Sequence, residues 1–250
     1  MKNIVIIGDS YAAAGRKESN VFSEINLYFI TNPYSDSCEY IAWTDLIADH
    51  YGYKTKSFAY GGKSWWFSYS KFEQWKHQNP EQWELTDLVI FAHTDYSRLN
   101  SSDTNVPNIP TDTASFYKSS DIGTAIKMWH TYLYDHEFQR WAQQQFFKSL
   151  SDFGKDKKII HMCMMRHGDR DELGYDTINN GVVVLDSLFD ISSGEFKNGC
   201  FPDNFMDKRF CHFSPQNHVV LANELINIVD NYKPGPVSFR PNMFHKAFIQ

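Results

Sequence analysis

Residues 4–7, Ile-Val-Ile-Ile, form an unbroken apolar run that ends at Gly8 and Asp9. A run without polar alternation suits a strand buried on both faces, the kind found in parallel sheets. Within residues 40–51, Ile41, Leu46 and Ile47 fall near helical spacing and Gly52 offers a stop. Residues 54–60, closed by Gly61 and Gly62, read as a second strand. Residues 88–92 read as a third, after a polar stretch around 84–87. A long helical pattern, bent or divided, covers 122–150, with Ile126, Trp129, Leu133, Phe138, Trp141 and Phe146 among polar residues. Residues 158–164 and 181–185 give the fourth and fifth strands. Ser214 as N-cap and Pro215 at the first helical position open a last helix carrying Val219, Val220, Leu225, Ile226 and Val229.

Strands that alternate with helices imply right-handed crossovers and a mostly parallel sheet covered on both faces. The expectation is an α/β, flavodoxin-like three-layer sandwich with a central five-stranded, mostly parallel sheet. Its site belongs at the carboxyl ends of the strands, where Gly8-Asp9-Ser10, Gly61-Gly62 and Ala92-His93-Thr94-Asp95 all fall. One domain spans 1–232, with a loop insertion around 96–120. Over 100–120 the insertion is rich in Ser, Thr, Asn, Asp and Pro and reads as a lid or a partner-binding loop. Residues 233–250, with three prolines and no periodicity, read as a C-terminal tail that wraps the surface or contacts a protein partner.

Composition narrows the functional classes. With 42% hydrophobic and 22% charged residues, the chain can bury a substantial core, and global disorder is excluded. A net charge of -6 argues against a nucleic-acid partner, which would call for clustered Lys and Arg. The four cysteines, Cys38, Cys163, Cys200 and Cys211, are too scattered for a disulfide framework and read as reduced thiols. The apolar stretch at the start is too short for a signal-peptide core, and no apolar run approaches the ~18 residues of a membrane span. A cytoplasmic protein is expected; a virion component would present the same features.

Three positions carry candidate chemistry. Ser10 follows a buried strand on a tight turn, a geometry that exposes a nucleophile beside free backbone N–H groups. His212 precedes a capped helix and has the near-neutral side chain needed to take and return the serine proton. His218, on the helix itself, reads as structural. Gly62 can bring its N–H close to an oxyanion, and Thr94 or His93 can add a side-chain donor. Taken singly, Gly-Asp-Ser and Gly-Gly are better explained by turn formation alone. His161, Cys163 and His167 lack the paired spacing of a structural zinc site and read as core or loop residues. Neither GxxxxGK[ST] nor GxGxxG occurs, so nucleotide-binding folds lose support.

In this order along nearly the whole chain, these blocks resemble those of the SGNH or GDSL hydrolase superfamily of esterases and lipases. The resemblance implies Ser10 as nucleophile, His212 as base, and an oxyanion hole from Gly62 and the residue at Thr94. It implies no metal and no cofactor. Two departures stand out: the family's oxyanion asparagine is replaced by Thr94, and Arg209 occupies the place of the aspartate three residues before the histidine. Either Asp207 orients His212 across a bulged loop or His212 works as a dyad, held by a backbone carbonyl. An ester substrate follows, with O-acetyl groups on carbohydrate favoured by the adjacent Trp65, Trp66, Phe67 and Tyr69; a buried aromatic cluster is the other reading of those rings. The rival class is a binding or structural protein that kept the scaffold, such as a phage particle component.

Overall fold

The computed structural model describes residues 1–9, 12, 42–60, 63–94, 96, 98, 121–164, 173–188, 191, 215–240 and 243–244. The strands are β1 (Asn3–Gly8), β2 (Lys54–Ala59), β3 (Thr86–His93), β4 (Lys158–Cys163), β5 (Val182–Ser187) and β6 (Gly235–Val237). They form one sheet in the order β2-β1-β3-β4-β5-β6, and every pairing is parallel. The helices are α1 (Trp43–Tyr51), α2 (Trp65–Gln78), α3 (Pro80–Glu84), α4 (Asp121–Tyr132), α5 (His136–Ser149) and α6 (Pro215–Asp230). The expected α/β sandwich is present, with six strands instead of five. The sixth comes from the segment read as a tail: Gly235, Pro236 and Val237 pair with Val182, Val183 and Val184. A three-residue edge strand carrying a proline has too little periodicity to be legible in sequence.

Alternation along each strand divides the apolar residues between two cores. Ile4 and Ile6 of β1, Leu88 and Ile90 of β3, and Ile160 and Met162 of β4 point to one face, where α1 and α6 cover them with Ile47, Leu221, Leu225 and Val229. Val5, Ile7, Val89, Phe91 and Ile159 point to the other, packed by Phe72 and Trp75 of α2 and by Phe146 and Phe147 of α5.

Local chemistry fixes the ends of the helices. Gly52 stops α1 in the left-handed conformation, φ 62°, as its position predicts. The Ser64 hydroxyl caps α2 by accepting the Phe67 N–H, and Asp135 caps α5 by accepting the Phe138 N–H. The long pattern over 122–150 is thereby divided into α4 and α5. The α2 helix went unread because its buried face is Phe67, Ser68, Phe72 and Trp75, so rings and a serine replace the usual aliphatic stripe.

Candidate active site

The strand order reverses between β1 and β3: from β1 the chain first goes outward to β2 and then returns to the other side. A crevice at the carboxyl end of such a switch point is the usual ligand site of an open parallel sheet. Gly8, Asp9 and Thr94 meet there. A Cβ on Gly8 would lie 2.9 Å from Ala92 Cβ and 3.0 Å from the Ala92 carbonyl oxygen, so the two strand ends approach as closely as they do only because residue 8 is glycine.

Asp9 is fully buried, and its Oδ2 accepts from the Thr94 hydroxyl at 2.9 Å and from Arg98 Nη2 at 3.0 Å. A carboxylate taken out of water needs this kind of compensation: a charged partner and further hydrogen bonds. Arg98 Nη1 donates to the Lys63 carbonyl at 2.9 Å, and Gln143 Nε2 of α5 donates to the Thr94 carbonyl at 2.9 Å. The Gly8 carbonyl accepts from the Ser68 hydroxyl of α2 at 2.6 Å and from the Tyr60 N–H at 3.2 Å. The segments after β1, β2 and β3 are thus joined by polar contacts that α2 and α5 reinforce.

Of the sequence-derived site residues, Thr94 is described, and its one hydroxyl proton goes to Asp9. To serve an oxyanion it would have to release that bond. Ser10, Gly62, Asp207 and His212 lie outside the described residues. Asp9 precedes Ser10, Lys63 follows Gly62, and α6 begins three residues after His212. At its far end α6 meets the amino edge of the sheet, where the Val229 carbonyl accepts from Lys158 Nζ and Asp230 accepts from Tyr51. Its 16 residues span roughly 24 Å, so its first turn rises toward the edge that holds Asp9 and Thr94.

His218, at the end of the first turn of α6, is structural: its Nδ1 accepts the Trp43 N–H at 3.1 Å. The start of α1 has no capping side chain of its own, Ala42 being its N-cap, so a residue 175 positions away supplies the acceptor. Burial lowers the His218 pKa to about 4, which keeps the imidazole neutral and able to accept.

His93 does not add a donor to the site. It is the last residue of β3 and is buried, with Nε2 3.0 Å from His161 Nδ1. His161 Nε2 lies 2.8 Å from the Asn180 carbonyl oxygen, which can only accept, so Nε2 carries the proton and Nδ1 receives one from His93. Burial holds His93 far below the ordinary imidazole range, reinforced by His161, and lowers His161 to about 4. Cys163 lies in the same core, and His167 lies outside the described residues. Among the described residues no cluster of His, Cys, Asp or Glu is arranged to hold a metal, and no helix is long and apolar enough to cross a membrane.

The aromatic run after Gly62 is divided. Phe67 is buried, Trp65 stacks on Phe146 at 4.8 Å, and Tyr69 meets the same ring edge-on, whereas Trp66 is 45% exposed. Sequence reading missed Arg98, Gln143 and Ser68, since one arginine in a loop and polar residues on helices carry no pattern until the sheet brings them together. Comparison with protein-family models, with curated proteins and with solved structures gives no significant match.

Proposed function

We propose that the chain is a serine ester hydrolase of the SGNH type that works through an acyl-enzyme on Ser10. The observation that carries this reading is the meeting of Asp9 and Thr94 at the switch point between β1 and β3, beside the residue that would attack. A parallel sheet alone supports many chemistries, so the weight rests on the site. In the proposed reaction Ser10 Oγ attacks the ester carbonyl while His212 takes its proton, with Asp207 or a backbone carbonyl orienting the imidazole. The N–H groups of Ser10 and Gly62, with Thr94 if its hydroxyl turns from Asp9, would stabilise the oxyanion. His212 then returns the proton to the leaving alcohol, and water releases the acid by the reverse sequence. The exposed Trp66 near the start of α2 favours O-acetylated carbohydrate as the substrate class, since a flat indole stacks on sugar rings.

One observation favours a second reading, a binding protein on the same scaffold: the Thr94 hydroxyl donates its one proton to Asp9. Hydrolysis of p-nitrophenyl acetate and labelling by a fluorophosphonate separate the two. The hydrolase reading expects both in the wild type, neither in Ser10→Ala, and a drop in turnover of about 10³-fold or more in His212→Ala at matched folding. A folded wild type that neither turns over nor labels would overturn the hydrolase reading and leave the binding reading standing.

A further inference from the structure

Arg98 is the one guanidinium among the described residues that contacts both Asp9 and the chain after β2. Its Nη2 reaches the buried Asp9 carboxylate at 3.0 Å and its Nη1 the Lys63 carbonyl at 2.9 Å, while its own side chain is only 15% exposed. The two N–H groups belong to one rigid plane, so the separation between their acceptors is fixed in a way that a flexible ammonium cannot reproduce. Asp9 is bonded to Ser10 and Lys63 to Gly62. Thr94 completes the arrangement from the third segment by donating to the same Asp9 oxygen.

We infer that Arg98 is a positioning residue that holds Asp9 and Lys63, the residues bonded to Ser10 and Gly62, at a fixed distance from each other. This rests on the hydrolase reading, and on nothing beyond it except the contacts of Arg98. The guanidinium touches no reacting atom in this role. It acts through Asp9 and the Lys63 carbonyl, and its loss would leave the buried Asp9 carboxylate without its charged partner, lowering Tm, and let the two segments drift. A drift of about 1 Å at such a site costs on the order of 10²-fold in rate.

The test compares wild type, Arg98→Lys, Arg98→Met and the double variant Asp9→Asn/Arg98→Met by p-nitrophenyl acetate kinetics, rate of fluorophosphonate labelling and Tm. Arg98→Met is expected to lower kcat and labelling rate about 10²-fold with KM changed less than about 3-fold. Arg98→Lys keeps the charge but not the fork and should remain at least about 10-fold below wild type. The double variant removes both charges, so its Tm should recover toward wild type while kcat stays low. Recovery of kcat together with Tm in the double variant would reduce Arg98 to charge compensation and overturn the inference, as would wild-type kinetics in folded Arg98→Lys. A wild type that labels while Arg98→Met labels equally fast defeats the positioning role alone; a wild type that fails to label at all defeats the hydrolase reading first.

Discussion

The two faces of the sheet come from the same strands by the same alternation, yet one is mainly aliphatic and the other is rich in rings. On the first, Ile, Leu, Val and Met side chains from four strands meet the apolar sides of α1 and α6. On the second, Phe58, Phe72, Trp75, Phe91, Phe146, Phe147 and Phe153 form a continuous set of edge and tilted ring contacts. That ring set also admits two imidazoles, because a flat neutral ring fits where a phenyl ring fits. Phe91 and His93 stack at an interplanar angle of 4°, and His93 and His161 at 7°. A chain can thus place hydrogen-bonding groups in a dry core provided that each finds a partner and none carries charge. The two faces also serve the site differently. The aromatic side sends Ser68 and Gln143 to hold the segments of Asp9 and Thr94, while the aliphatic side carries α6, the helix that follows His212.

The largest difference between the faces should appear on removing a ring. Phe72 has no exposed surface and lies within 6.3 Å, centroid to centroid, of Phe58, Tyr69, Trp75, Trp83 and Phe153. Phe72→Ala is expected to cost about 3–5 kcal/mol, because rigid rings cannot close over the space it leaves. Ile90→Ala, the truncation to the same residue on the aliphatic face, should fall toward the lower end of about 2–5 kcal/mol. Urea unfolding of the two variants measures both, and equal losses would show the ring set to be as adaptable as the aliphatic one.

A second contrast is acid sensitivity. The folded pKa of His161 is lowered from 6.5 to about 4 and that of His93 lies well below its ordinary value, in each case mainly through burial. As pH falls below 6.5 the unfolded chain binds these protons first, so stability is complete above about pH 6.5 and declines toward pH 4. The loss expected over that window is a few kcal/mol. His218, also near 4, adds to it from the other face. The double variant His93→Leu/His161→Met should flatten the decline, since it leaves only the Asn180 carbonyl without its partner, at about 1–3 kcal/mol independent of pH. A decline that persists unchanged would locate the acid-sensitive groups elsewhere, with His218 and the carboxylates.

The aliphatic face was legible in the sequence and the aromatic face only partly so. Residues 4–7 and 88–92 announced central strands because a parallel sheet buries both faces and removes polar alternation. Gly52 and Pro215 marked helix ends through backbone constraints that hold in any context. Trp65 to Tyr69, by contrast, carried no aliphatic stripe, and a cluster of rings reads equally as a core or as a wall beside a site. The motif at Gly8-Asp9-Ser10 drew attention to the serine. The structure describes Asp9 beside it, whose side-chain partners include Thr94 and Arg98, positions that no local pattern connects to residue 9. Long-range pairing of this kind depends on strand order, and strand order becomes visible only when the sheet is assembled.

The smallest effect belongs to the contact that joins the first helix to the last on the aliphatic side. His218 Nδ1 accepts the Trp43 N–H, which otherwise would be one of the unsatisfied donors at the start of α1. His218→Ala should cost about 1 kcal/mol, the ordinary value of a lost N-terminal cap, plus a small packing loss. His218→Asn tests whether the acceptor matters more than the ring: its shorter side chain offers a carbonyl oxygen but reaches less far, so a partial recovery is expected. Because asparagine does not titrate, the same variant should remove the His218 share of the acid decline and leave that of His93 and His161 in place. Hydrogen exchange at the Trp43 amide reads the cap directly. Faster exchange there in His218→Ala, with β3 and β4 amides unchanged, would confine the effect to the aliphatic side, whereas equal acceleration in both would mean that the two faces open as one unit.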